Sequence, residues 1–448
     1  MTSPNTVSGK LADFIHDLNI AELPAGVIEK AKLRVLDGLG TALAAHGLPV
    51  PSMALALVKG NTGPASVIGY PDSLPPIDAA FVNATLVNGR SQDDFLQKSH
   101  AGAVTLPSAL ALAQANGRSG ADVLEGIIAG YEVVGRMYLG APGMLPRFRA
   151  TGVAGTVGAA ATAAKLLDLD APRVMHALGV AAVFAHGFGQ GFLSGTSEVK
   201  LNVGMASRNG LTAAMLAQHG ATASALAFEG DAGYFRAFDG TLDHVDEATR
   251  GLGQHFLIED AVYKECPVCL FTQTPIALAR SIAAQLDPRR IDKVIITSPE
   301  LTHTNPGFTN VAPYRTHLQA VVSARFCTAA ALLGRPVEDH DYYDQTEDAE
   351  VLRLAQKIEL RLRASDSERV DIEVVQGERA IRASGIEAET LFPTPEKVIA
   401  KFTRITGELH GIERQCIIDA VMALERIGAI GDLTRLLRPQ TQTTGQTA

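Results

Sequence analysis

The sequence predicts a mainly α protein: a large all-helical bundle domain built from both chain ends, with a smaller α+β domain inserted between them. Three observations carry this. Apolar residues recur at helical spacing through most of the N-terminal half. Alanine and leucine are abundant and Trp is absent, which suits many closely packed helices. Near Lys264 charged, β-branched segments begin to alternate with helices, and from Glu396 onward the pattern is helical again. Residues 1–264 and 396–448 are therefore expected to form one discontinuous helical domain, and 265–395 the α+β insert. The 448 residues suffice for more than one domain and a large core.

Ala25 to His46 reads as an amphipathic helix, with Ile28, Ala31, Val35, Leu39 and Ala42 three or four apart. Gly38 and Gly40 within it would admit a close neighbour. Ser52 to Lys59 restarts a helix after Pro49 and Pro51, and Pro64 to Tyr70 reads as one short extended piece. Ile77 to Val87, Leu106 to Asn116 and Ala121 to Leu139 follow as helices; in the last, Glu132 and Arg136 are spaced to pair. Val153 to Leu167, Pro172 to Phe188 and Lys200 to Ala217 continue the series, the second holding His176 and His186. In the insert, Lys293 to Ser298 reads as a strand, and Leu318 to Leu333 and Asp348 to Ile358 as helices. Val370 to Val375 and Ala380 to Ala383 read as a hairpin about Gln376-Gly377-Glu378. Gly411 to Ile427 is helical and should return to the first domain, and the last ten residues should fray.

A net charge of −9 without a basic stripe argues against nucleic acid as a partner. Any anionic ligand must be met by a local group of Lys and Arg. No apolar run of transmembrane length has a clean interior, and Met1 to Lys10 lacks the apolar core of a signal peptide, so no membrane partner and a cytoplasmic location are expected. Four cysteines do not describe a disulfide scaffold for this length. Cys266-Pro267-Val268-Cys269 raises zinc and redox readings. A structural zinc needs two further ligands that the sequence does not place nearby, and a redox pair needs a βαβ setting, so no metal is expected. The glycine-rich run Gly187 to Gly195 has neither the Lys-Ser/Thr nor the preceding strand of a phosphate loop.

The stretch most suggestive of chemistry runs from Val87 to Val104. It sets Asp93, Asp94, Lys98 and His100 between two apolar helical patterns. Two adjacent buried carboxylates drive one pKa up, as a general acid requires. His100 can serve as base or acid near neutrality. The alternative is a solvated loop with an N-capping aspartate. Farther on, the Arg147-Phe148-Arg149 loop precedes a helix starting near Thr151, whose amide end would favour a bound carboxylate.

Asp93-Asp94, followed by His100-Ala101-Gly102-Ala103-Val104-Thr105-Leu106-Pro107, resembles the signature loop of the MmgE/PrpD family. That family includes 2-methylcitrate dehydratases, cis-aconitate decarboxylases and iminodisuccinate epimerases. Leu36-Asp37-Gly38-Leu39-Gly40 resembles its N-terminal helix. Phe228-Glu229-Gly230 with Gly233-Tyr234-Phe235-Arg236-Ala237-Phe238, and Lys264-Glu265-Cys266-Pro267-Val268-Cys269, are similar to further stretches of it. The resemblance implies His100, Asp93, Asp94 and Lys264 as catalytic residues in a cleft between domains, with Cys269 lining it. It implies proton removal next to a carboxylate of a small di- or tricarboxylic acid, with dehydration, epimerisation or decarboxylation as outcomes. Arg90, Arg149 and Lys200 are the cations available to such a substrate, and Asn202 stands where the family carries a histidine. The resemblance further implies no metal or organic cofactor, and a homodimer. The chain departs from the family pattern at Ser91, Arg149, Val199, Asn202 and Phe326. Two classes stay open: a lyase or epimerase on an altered substrate, and a non-catalytic relative that binds a carboxylate or a protein.

Overall fold

The computed structural model describes residues 5–364, 367–386, 391 and 393–439. It is mainly α with small sheets. Long buried helices dominate: Ala25–Ala44, Pro76–Val87, Ala101–Asn116, Gly120–Leu139, Ala150–Leu166 and Glu198–Gln218. Small residues set their spacing. A Cβ on Gly158 would lie 2.2 Å from Val134 Cγ2, so the helices at 120–139 and 150–166 approach as closely as glycine permits. Gly40 does the same for Phe402 of the helix Pro395–Ile405, at 2.8 Å.

Two main hydrophobic clusters result. The first gathers side chains from Val7 to Tyr263 and from Val398 to Leu437, including Ile417, Val421 and Leu424. The second runs from Cys266 to Ile381. It surrounds a four-stranded sheet in the order Ile358–Leu362, Lys293–Ser298, Val370–Gln376, Arg379–Gly385; the first pair is parallel and the others antiparallel. A buried ion pair ties the chain ends together in the first cluster: Lys401 Nζ lies 2.6 Å from Asp37 Oδ1 and 2.5 Å from the Gln92 carbonyl.

Several elements differ from their sequence reading for local reasons. The helix expected from Leu106 starts at Ala101, because the Asp94 carboxylate accepts a bond from the Gly102 amide and so ends the loop one turn early. Pro107 falls inside it. The helix expected from Ser52 starts at Pro49, where proline occupies the first helical turn. The Pro64 to Tyr70 piece is Ala65–Ser66, paired with Ser73–Leu74. The helix holding His176 stops at Phe184, which leaves His186 outside; Gly187, at φ 118°, turns the chain there. The segment 318–333 breaks into His317–Val321 and Ala324–Leu332, because Ser323 caps the second by accepting from the Phe326 amide. Ile358 opens a strand rather than closing a helix. The strand at Lys293–Ser298 and the turn at Gly377-Glu378 fall as read. Glu132 and Arg136 pair at 2.7 Å. The tail from residue 440 lies outside the described residues. Among the described residues no single helix is long and apolar enough to cross a membrane.

Candidate active site

Asn88 caps the Pro76–Val87 helix, and residues 89–99 cross the gap to the helix that begins at Ala101. This crossing is held in an uncommon conformation: Ser91, Gln97 and Lys98 have φ of 56°, 42° and 60°. Each such non-glycine residue costs about 1–3 kcal/mol and persists only where neighbours over-determine it. At Ser91 the neighbours are two lysines, Lys264 buried and Lys200 half-buried. Lys264 Nζ donates to the Ser91 carbonyl at 2.5 Å. Lys200 Nζ reaches Ser91 Oγ at 2.8 Å, the Gly89 carbonyl at 2.7 Å and the Asn88 carbonyl at 3.0 Å.

The crossing presents His100 to a cleft. His100 Nδ1 lies 2.8 Å from Asp93 Oδ2, its ring stands edge-on to Phe95, and its backbone amide donates to Thr151 Oγ1 at 3.1 Å. With Nδ1 bound to a carboxylate, Nε2 is the ring nitrogen left for the cleft. Asn88 ties the group together. Its amide donates to Asp93 Oδ1 at 3.0 Å, and its carbonyl accepts from Arg149 Nη2 at 3.3 Å. The cleft encloses about 790 Å³ of atom-free space, its open mouth included. His100, Arg149, Lys200, Lys264 and Cys269 line it, with Asn88, Ser91, Lys98, Thr151 and Asn305. One wall comes from the first hydrophobic cluster and the other, through Val321 and Val322, from the second.

Burial organises the charges. It pushes the Asp93 carboxyl up, but the His100 ring and the Lys264 ammonium, 4.0 Å away, outweigh it and hold Asp93 below the usual carboxylate range. Burial lowers His100 to about 4 against the opposing pull of Asp93, so the ring is a neutral base at neutral pH. Burial likewise lowers Lys264, lowers Lys200 to about 7 and lowers Arg149 to about 10. Arg149 Nη1 is buried without a hydrogen-bond partner.

The remaining expected residues fall elsewhere. Asp94 does not line the cleft; Oδ1 takes the Gly102 amide and Oδ2 the Tyr131 hydroxyl at 2.5 Å. Burial raises it to about 6. The two aspartates thus divide the work, one holding the histidine and one starting its helix. Arg90 also turns away, toward Gln92 Oε1 at 3.3 Å and the Ala44 carbonyl. Asn202 packs beside Gly152 and Gly187, donating to the His186 carbonyl at 3.3 Å, and is not part of the cleft lining. Cys266 is buried in the second cluster, while Cys269 faces the cleft. Among the described residues no three His, Cys, Asp or Glu side chains gather as metal ligands. Asn88 and Thr151 were missed by sequence reasoning. An asparagine after a helix reads as a cap, and only the proximity of the 150–166 helix reveals the threonine.

Residues 9–244 match the MmgE/PrpD N-terminal domain, and residues 266–390 match the MmgE/PrpD C-terminal domain. The chain belongs to the MmgE/PrpD family. Human cis-aconitate decarboxylase is 28% identical over 375 residues, spanning 79% of this chain and 76% of its own. The mouse protein of that name is 27% identical over 380 residues, 79% and 75% of the two chains. A cis-aconitate decarboxylase of Aspergillus terreus is 28% identical over 222 residues, 46% and 45%. Of the five positions read from the sequence as departures from the MmgE/PrpD signature, Ser91, Arg149 and Val199 line the cleft. Phe326 does not; it is buried in the second cluster against Tyr314.

Proposed function

We propose that this chain is a lyase acting on a small di- or tricarboxylic acid, forming a carbanion next to a carboxylate, with dehydration as the overall reaction. The observation that supports this most is a neutral histidine, fixed through Nδ1 by an ionised Asp93, in a cleft whose charged side chains are otherwise cations. In this reading His100 Nε2 takes the proton from the carbon beside the carboxylate. The electron pair spreads onto the carboxylate oxygens, where Arg149 and Lys264 meet the growing charge. Expulsion of the β-hydroxyl completes the double bond. The proton taken up by His100 Nε2 is then available to that leaving oxygen, which departs as water, while Lys200 holds the loop through the Asn88 and Gly89 carbonyls and Ser91 Oγ. The cleft lies between two domains, 1–264 with 396–448 and 265–395, a division supported by the two separate clusters.

Decarboxylation is the second reading, favoured by the name that the similar human, mouse and fungal proteins share. Carbon dioxide would leave with its bonding pair left on carbon, and a protonated site group would supply the proton. Incubation with di- and tricarboxylates in D₂O separates the readings. Deuterium uptake at carbon with water loss supports the first, and carbon dioxide release supports the second. No uptake with any di- or tricarboxylate would overturn both. The assembly we propose is a homodimer. Its support is the apolar groove beside Gly179 and Ala223, flanked by Val183 and Leu226, which are 81% and 52% exposed.

A further inference from the structure

The four cysteines of the chain sit in unlike surroundings, and the surroundings of one of them favour reaction. Cys266 and Cys327 are buried in the second hydrophobic cluster, and burial pushes both thiols up. Cys416 is exposed, but its Sγ lies 3.2 Å from Glu413 Oε2, and that carboxylate raises it. Cys269 is half-buried and lines the cleft.

Around Cys269 the charges are of the opposite sign. A Cys269 thiolate and the buried cations Lys264 and Arg149 stabilise one another. The Asn305 side-chain amide donates to Cys269 Sγ at 3.7 Å. Cys269 is also the N-cap of the helix Leu270–Ala283, whose first amides carry the positive end of its dipole. All four features favour the thiolate, which is the nucleophilic form of the residue. An oxygen added to that sulfur also needs a donor. Arg149 Nη1, on a side chain 5% exposed, lines the same cleft and has no hydrogen-bond partner among the described residues. An anionic oxygen there would restore the free energy that the unpaired N–H costs. Cys266 is three residues away in sequence but packs into the second cluster, with its amide donating to Gln273 Oε1 at 3.2 Å. Oxidation at Cys269 should therefore stop short of a disulfide.

We propose that Cys269 is a modification site for small hydroperoxides, which convert it to a sulfenate whose oxygen is held by Arg149. The thiolate sulfur attacks the terminal peroxide oxygen. An S–O bond forms as the O–O bond breaks, and sulfur gives up two electrons to the peroxide. The other oxygen leaves as hydroxide or alkoxide and is neutralised by the proton that the thiol released. The sulfenate occupies the Arg149 donor, so the cleft stays blocked until two equivalents of a solvent thiol return the cysteine, a disulfide of that thiol and water. This inference is independent of which reaction the cleft catalyses.

The test exposes the full chain to hydrogen peroxide with dimedone present and follows the adduct at each cysteine by mass spectrometry. Each unit of pKa changes the thiolate fraction about tenfold and its nucleophilicity about threefold in the other sense, a net gain of roughly threefold. Cys269 should therefore label at least about threefold faster than Cys416, while Cys266 and Cys327 stay unlabelled. Arg149→Ala should slow Cys269 about threefold and leave Cys416 unchanged. Labelling of Cys269 no faster than that of Cys416 overturns the proposal, as does a Cys266–Cys269 disulfide formed in place of the adduct. An unchanged Cys269 rate in Arg149→Ala overturns it too. If that variant does not fold, the ranking of the wild-type cysteines decides alone.

Discussion

Asp93 Oδ2 stands 2.8 Å from His100 Nδ1, and Asn88 donates to both oxygens of the same carboxylate, at 3.0 and 3.3 Å. The histidine is thus held in one orientation from a loop whose own backbone is clamped by Lys200 and Lys264. If this ring is the base, His100→Ala should lower turnover by about 10²–10⁴-fold. His176→Ala is the matched control. His176 Nδ1 accepts from the Ala223 amide at 3.1 Å, far from the cleft lining, so its loss should reduce stability and leave kcat unchanged.

The pH profile should carry the mark of burial. A base must be deprotonated, and His100 is lowered to about 4 from an ordinary 6.5, so the acid limb of kcat/KM should lie well below that ordinary value. Asp93 opposes the lowering. Asp93→Asn should therefore move the limb to still lower pH while reducing kcat. A limb that moves upward in the variant rules out Asp93 as the partner of the base.

Stability between pH 4 and 6 should reflect two opposed groups. His100 is lowered in the fold, so its contribution is present above about 6.5 and is lost as pH falls toward about 4. Asp94 is raised from 3.8 to about 6, so its contribution is present below 3.8 and is lost as pH rises through about 6. The two slopes offset each other. Asp94→Asn removes one of them, and thermal midpoints of that variant should climb more steeply with pH across this window than those of the wild type.

Arg149→Ala should raise KM roughly 10- to 100-fold, the worth of a hydrogen bond to a charged group, and should lower kcat as well, because the guanidinium also meets the charge that grows on the carboxylate. Arg149→Lys should not restore it, because the ammonium lacks the planar fork that reaches Asn88 and a carboxylate together. Steady-state kinetics on the substrate found by deuterium exchange checks both.

The Asp37–Lys401 pair should be felt in stability rather than chemistry. Both side chains are almost fully buried, and Lys401→Met leaves the buried carboxylate without its hydrogen-bonded partner. The expected cost is about 3–5 kcal/mol in denaturant unfolding. The double variant Asp37→Leu with Lys401→Met should recover most of it.

Much of this was legible in the sequence. The polar run between two apolar helices could only lie where the core opens, and it carries the histidine. The two hydrophobic clusters part between Tyr263 and Cys266, where helical spacing gives way to strand alternation in the sequence. What stayed hidden depends on distance or direction. Asp37 reads as a small polar residue among close-packing glycines until Lys401 arrives from the far end of the chain. Arg90 has the right charge for a substrate, yet it points at the Ala44 carbonyl, a matter of backbone direction at Ser91 that no spacing rule conveys. The sign of the His100 shift was unreadable because burial and Asp93 pull in opposite senses, and only the degree of burial decides between them.

The bond from Lys401 to the Gln92 carbonyl also sets a schedule for synthesis. A ribosome delivers the histidine, its aspartate and the loop between them long before it reaches residue 401. Until then Asp37 lacks its hydrogen-bonded lysine, Gly40 faces empty space where Phe402 will lie, and a strip of the Ala25–Ala44 helix is bare. The nascent chain must wait with that strip exposed while the whole intervening sheet is made. Chaperone demand during expression should therefore track the time taken to translate the insert, and premature termination anywhere before residue 401 should yield aggregates rather than a smaller working enzyme.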